Sequence, residues 1–206
     1  MKKGEYIPEI KVILLGDSVV GKTSMLARFR KEDVREFHVA TIGIENFEKI
    51  LNLKDSKKKV QLKIYDTSGQ ERYRSITRNY YKHTDGILLM YDITNGQTFK
   101  SLESWIKEIE ERTKPNIPIY LIGNKKELSE EREITYDEGK EFADKHNFKF
   151  FETSTKEDKN VQIILEQIAE DICTSNKIFE KKEEDILSHK LDKTNIIRKK
   201  KKKRFC

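Results

Sequence analysis

The segment Gly16-Asp17-Ser18-Val19-Val20-Gly21-Lys22-Thr23 has the spacing G-x-x-x-x-G-K-[ST]. Glycines at its two ends let the backbone come close to a ligand. The main-chain N–H groups from Ser18, Val19, Val20 and Gly21 through to Ser24 can then form a nest at the positive end of a helix, a setting that favours a polyphosphate. Lys22 can reach β- and γ-phosphates, and the Thr23 hydroxyl can ligate Mg²⁺. The competing reading is a chance match in a strand–turn–helix. The flanks argue against chance. Residues 10–15 (IKVILL) form a short apolar run of buried-strand type, and Met25, Leu26 and Phe29 recur at helical spacing across 22–31.

A nucleotide hydrolase needs more than a phosphate cradle. Asp66 follows the strand expected over 62–65, so its carboxylate emerges at the carboxyl end of a strand, a place suited to holding Mg²⁺ through water. Gly69 can offer a backbone N–H to a γ-phosphate, and Gln70 can orient the attacking water as the catalytic residue. Thr41 lies in the polar segment between the first helix and the second strand, where it can close over the metal and the γ-phosphate. Asn124-Lys125-Lys126-Glu127 ends one further strand, and Glu152-Thr153-Ser154-Thr155-Lys156 ends the last.

Alternating elements position these groups. Residues 44–53 and 60–65 read as two strands joined by a lysine-rich turn, 86–93 and 117–123 as buried strands, and 148–152 as a shorter one. Phe99, Leu102, Trp105, Ile106 and Ile109 form one helical stripe; Val161, Ile164, Leu165, Ile168 and Ile172 form another. Both read as core faces, with Trp105 as packing. Strands alternating with helices predict an α/β fold of the P-loop NTPase type, with a mostly parallel six-stranded sheet, helices on both faces and ligands at the strands' carboxyl ends.

Composition bounds the rest. The chain has 206 residues and a formal charge of +6, and residues 177–206 hold 12 Lys and Arg against 5 Asp and Glu. The body is thus near neutral and the tail strongly basic. No run is long and apolar enough to span a membrane, and the first residues are charged rather than signal-like. Two cysteines, Cys173 and Cys206, make no disulfide framework. Cys173 reads as a buried small apolar residue. The expected organisation is a short N-terminus (1–8), one domain (9–175) and a disordered basic tail (176–206).

Together GDSVVGKT (16–23), TIG (41–43), DTSGQERYRSITRNYY (66–81), GNKKEL (123–128) and ETSTK (152–156) resemble the small GTPases of the Ras superfamily, Rab branch. The resemblance covers about residues 8–175, and the segment 70–81 is similar to the Rab type of second switch. It implies a GTP/GDP switch in membrane traffic, with slow hydrolysis accelerated by an activating protein. Lys22 would cradle the phosphates, Thr23, Thr41 and Asp66 would serve Mg²⁺, and Gln70 would be the catalytic glutamine. Asn124, Lys125 and the residue at 127 would recognise guanine, supported by Ser154, Thr155 and Lys156. Exchange factor, activating protein and effectors would meet residues 34–47 and 66–81. A monomer with no nucleic-acid partner is implied, cytoplasmic and peripheral on the cytosolic face of endomembranes. The alternatives are a nucleotide-binding scaffold that no longer switches, and a P-loop NTPase of altered base specificity.

Departures from the family cluster around the base. Glu127 stands where Asp is usual, and one added methylene moves the carboxylate fork by more than an ångström unless the backbone retreats. Thr155 replaces a small residue, Val34 an aromatic, and Val19 a small or polar residue. Two outcomes follow from these residues: looser nucleotide binding, or mutual steric compensation between Glu127 and Thr155. Rab relatives place an aromatic triad between the switches. Tyr65 and Tyr80 occupy two of its positions and Asn46 the third, with Phe47 adjacent, so either the triad is broken or the strand is shifted by one.

The tail ends in seven consecutive cations, 198–204, then Phe205 and Cys206. A lipid on Cys206 beside a polybasic patch (198–206) would bind an anionic membrane surface. The family carries geranylgeranyl groups on C-terminal cysteines, usually a pair, and here one is present. A purely electrostatic arm and a nuclear-import or nucleic-acid patch are the alternatives.

Overall fold

The computed structural model describes residues 7–32, 44–54, 57–67 and 80–179. In chain order they form β1 (Glu9–Leu15), α1 (Lys22–Phe29), β2 (Ile44–Asn52), β3 (Lys59–Thr67), β4 (Gly86–Asp92), α2 (Gly96–Lys100), α3 (Leu102–Arg112), β5 (Ile119–Asn124), a 3₁₀ segment (Lys126–Glu131), α4 (Tyr136–Lys145), β6 (Lys149–Glu152) and α5 (Val161–Ser175). The six strands make one sheet in the order β2-β3-β1-β4-β5-β6. Every neighbouring pair is parallel except β2 with β3. The expected mostly parallel α/β sheet is therefore present. The chain divides into two compact units, Met1–Ile172 and Cys173–Cys206, and the sheet belongs to the first.

Helices cover both faces, which is why the central strands read as unbroken apolar runs rather than alternating ones. All seven residues of β4 are buried. On one face Ile13, Leu15, Ile87, Leu89, Tyr91 and Leu121 pack with Trp105, Ile106 and Ile109 of α3 and Ala143 of α4. On the other, a Cβ at Gly86 would lie 2.7 Å from Ile172 Cδ1 and 3.3 Å from Ile168 Cδ1, so α5 rests directly on the β4 backbone. Cys173 is buried, as its apolar reading expected.

Three local outcomes differ from the sequence reading or complete it. The stripe from Phe99 to Ile109 is divided between α2 and α3, because the Ser101 hydroxyl donates to Gln97 O at 3.0 Å, a back-bond that bends a helix. A helix not anticipated from the sequence, α4, starts at a capping box. The Thr135 hydroxyl accepts from Glu138 N, and Glu138 Oε2 accepts from Thr135 N at 2.8 Å. In the β2–β3 ladder Asn46 pairs with Tyr65 and Phe47 with the buried Ile64. The strand is not shifted: Asn46 shares the face of Tyr65, so the aromatic triad is interrupted by an amide. Tyr65 and Tyr80 lie together, with ring centroids 4.8 Å apart.

The parallel strands β1, β3, β4, β5 and β6 end side by side. The loop after β1, Asp66 near the end of β3, Asp92 at the end of β4, Asn124 at the end of β5 and residues 153–156 after β6 gather at that edge, as ligand sites do in open α/β sheets.

Candidate functional site

The loop between β1 and α1 turns on two glycines that no other residue could replace in place. Gly16 has φ +136, and a Cβ there would sit 2.2 Å from Met90 O; Gly21 has φ +103, and a Cβ would sit 2.1 Å from Asn124 Nδ2. Gly21 is also the N-cap of α1 and has no side chain with which to satisfy the helix's first N–H groups. The positive end of α1 is therefore directed into the loop.

Lys22 is buried, and its ammonium donates to Gly16 O at 2.9 Å and Asp17 O at 2.6 Å. Burial pushes its pKa down to about 8, against the opposing pull of the Asp66 and Asp17 carboxylates. A buried ammonium held by two carbonyls, beside a helix N-terminus, is an electrostatic arrangement completed by an anion. Thr23 Oγ1 donates to Asp66 Oδ2 at 2.6 Å, and Asp66 is fully buried. A hydroxyl and a carboxylate oxygen in contact are hard oxygen donors of the type Mg²⁺ takes.

The second half of the site centres on Asn124, also fully buried. Its Nδ2 donates to Val20 O at 2.9 Å and reaches Thr155 Oγ1 at 3.3 Å. Its Oδ1 accepts from the Thr153 hydroxyl at 3.0 Å and from Thr155 N at 3.3 Å. Both ends of the amide are used to join the phosphate loop to the loop after β6. Lys125, with φ +69, turns its ammonium onto Asp92 Oδ2 at 2.6 Å, while Asp92 Oδ1 accepts from both the N–H and the hydroxyl of Thr94.

Glu127 lies on the 3₁₀ segment. Its Oε2 is enclosed and, among the described residues, has no hydrogen-bond donor. An enclosed carboxylate oxygen without a donor is costly, and the N–H edge of a purine such as guanine would supply one. The backbone on either side is pinned, with Lys126 N donating to Thr153 O at 2.9 Å and Leu128 N to Lys125 O at 2.8 Å.

Of the expected site residues, the structure brings together Gly16, Ser18, Val19, Val20, Gly21, Lys22, Thr23, Ser24 and Asp66 at one end of the edge. Asn124, Lys125, Glu127, Ser154, Thr155 and Lys156 gather at the other. Ser154 Oγ accepts from Glu157 N at 3.0 Å, bracing the turn that carries Thr155. Thr41, Gly69, Gln70, Val34, most of 34–47 and 66–81, residues 198–206 and Cys206 lie outside the described residues.

Three participants were not legible as such. Arg28, at the end of α1, donates through Nε to Thr155 O at 2.7 Å and through its terminal nitrogen to Lys156 O. Asp92 holds Lys125. Trp105, read as packing, is buried and also donates its indole N–H to Asp17 Oδ1 at 2.9 Å. All three act across long sequence separations that no periodicity reveals.

Comparison with known proteins gives consistent findings. A family model described as "Ras family" matches residues 11–174. The chain is 41% identical over 163 residues to "Ras-related protein Rab-3" of Caenorhabditis elegans, covering 79% of this chain and 74% of that protein. It is 42% identical over 164 residues to "Ras-related protein Rab-11A" of Dictyostelium discoideum (80% and 76%). It is 37% identical over 186 residues to "Ras-related protein Rab-10" of Diplobatis ommata (90% and 92%).

Proposed function

This chain belongs to the Ras family as a Rab-type small GTPase, and from that premise we propose how its residues divide the work of the site. It is a GTP-binding switch of vesicle traffic that hydrolyses GTP to GDP and phosphate. Lys22 and the N–H groups between Ser18 and Ser24 receive the β- and γ-phosphates. Asn124, Lys125 and Glu127 receive guanine, with Ser154, Thr155 and Lys156 shaping the pocket's floor. Thr23, Thr41 and Asp66 hold Mg²⁺, which when bound neutralises phosphate charge. Gln70 orients the attacking water, and Gly69 offers its N–H to the γ-phosphate.

The observation that carries this reading is the meeting of two half-sites through Asn124. A phosphate cradle built on Gly16, Gly21 and Lys22 is joined by hydrogen bonds of 2.9 Å and 3.3 Å to the loop that would face a base. Regulators and effectors engage 34–47 and 66–81, regions that respond to the γ-phosphate. Residues 9–175 act as the switch domain, after a short N-terminus (1–8). The 176–206 arm, through 198–206 and a lipid on Cys206, holds the protein on the cytosolic face of an endomembrane. No described helix is long and apolar enough to cross a membrane.

Titrating GTP, GDP and ATP against the purified full chain with Mg²⁺ tests the site. Guanine nucleotides should bind at least tenfold more tightly than ATP; equal affinities would refute the guanine assignment. Replacing Gln70 with Leu should abolish hydrolysis stimulated by an activating protein, an effect worth about 10³–10⁵-fold. Unchanged stimulated rates would remove Gln70 from its role.

A further inference from the structure

The phosphate loop is anchored from outside at two points. In its first half, Asp17 Oδ1 accepts the Trp105 indole N–H at 2.9 Å, and the main-chain carbonyl of the same aspartate accepts from Lys22 Nζ at 2.6 Å. In its second half, Val20 O accepts from Asn124 Nδ2 at 2.9 Å. Between the anchors lie Ser18 and Val19, both exposed, and Val19 has φ +67. A side chain branched at Cβ rarely adopts that left-handed conformation, which persists only where the surroundings enforce it. Val19 itself is 59% exposed, so no packing of its own side chain holds it there. It lies between the two anchors, one residue from Val20 and two from Asp17.

We propose that Trp105 is a positioning residue of the phosphate site, clamping the loop with Asn124 on either side of a strained Val19. The proposal rests on reading this loop as the phosphate cradle. With the indole hydrogen bond removed, Val19 is free to return toward negative φ. The loop N–H groups then no longer converge, and the carbonyls of Gly16 and Asp17 no longer aim the Lys22 ammonium. Trp105 acts through Asp17 and touches no nucleotide.

The test is release of a fluorescent GDP from the full chain in Mg²⁺, with thermal unfolding followed in parallel. Trp105→Phe keeps an aromatic ring in the core and loses the N–H. It should release GDP about tenfold faster, the scale set by one hydrogen bond to a charged group. Asp17→Ala should release GDP at least as fast as Trp105→Phe, and Asp17→Asn, whose amide oxygen still accepts from the indole but carries no charge, should fall between Asp17→Ala and the wild type. Val19→Gly should slow release, because glycine adopts this φ without strain. In that background Trp105→Phe should have a distinctly smaller effect than in the wild type. A Trp105→Phe protein that melts at a lower temperature but releases GDP at the wild-type rate overturns the proposal. So does an effect of equal size with and without Val19→Gly. Failure of the wild-type chain to bind GDP would instead overturn the phosphate-cradle reading on which the proposal stands.

Discussion

Replacing Glu127 with Asp shortens by one methylene a carboxylate whose backbone cannot compensate. Lys126 N is tied to Thr153 O at 2.9 Å and Leu128 N to Lys125 O at 2.8 Å, so the main chain at 127 is held on both sides. The added methylene of Glu127 is therefore expressed as a displacement of the fork by more than about 1 Å. That is enough to spoil one of two parallel hydrogen bonds to a guanine edge. The Thr155 hydroxyl and N–H are turned to Asn124, at 3.3 Å from its Nδ2 and 3.3 Å from its Oδ1. A hydrogen bond involving a charged group is worth about 1.5–3 kcal/mol. At 1.4 kcal/mol per factor of ten, Glu127→Asp should slow GDP release by about 10- to 100-fold. The assay is stopped-flow or manual timing of a fluorescent GDP chased with excess unlabelled GDP, at fixed Mg²⁺. Equal, slow rates in both proteins would refute the argument and favour mutual accommodation of Glu127 and Thr155.

Tyr91→Phe should stabilise the protein, because the Tyr91 hydroxyl is buried without a hydrogen-bond partner among the described residues. Removing it should add about 1 kcal/mol and raise the midpoint of thermal unfolding by about 2–4 °C at fixed GDP; a loss of stability of that size would contradict the reasoning. Gly21→Ala drives a Cβ to 2.1 Å from Asn124 Nδ2 at a φ of +103, so calorimetry should find GDP affinity reduced more than about 100-fold from strain and lost contacts, while circular dichroism remains native. Burial raises the Asp85 carboxyl pKa, opposed by its hydrogen bond from Lys11 N. The native state thus holds that proton more readily than the unfolded chain, and ionisation costs stability as pH rises through the carboxylate range. Asp85→Asn keeps an acceptor for Lys11 N, so it should be more stable than wild type at pH 7. Denaturant titrations should show the advantage shrinking below the folded pKa and vanishing below about pH 3.9, and a pH-independent difference would refute the cause.

Where a residue's role is set by its local run, the sequence already displayed it. The strands β1, β4 and β5 were legible because burial on both faces writes itself as consecutive apolar residues. The phosphate loop was legible because its chemistry is main-chain chemistry that demands glycine at fixed spacing. Helix α4 is not announced by any stripe, since YDEGKEFADK has too few apolar residues for one; Thr135 and Glu138, the capping box, are the signal it carries. The choice between a broken aromatic triad and a shifted strand was undecidable from one strand alone, and the pairing of Asn46 with Tyr65 decides it. The site contacts of Arg28 and Trp105 leave no local pattern, because their partners lie 127 and 88 residues away.

The guanidinium of Arg28 hooks two successive carbonyls, those of Thr155 and Lys156, and Gln162 Nε2 returns a hydrogen bond to Arg28 O at 3.3 Å. The helix that begins at the Gly21–Lys22 turn thereby ends in a buckle fastened to the loop after β6. Any displacement of this helix would therefore draw the 155–156 loop along with it. One guanidinium thus couples the two ends of the pocket mechanically.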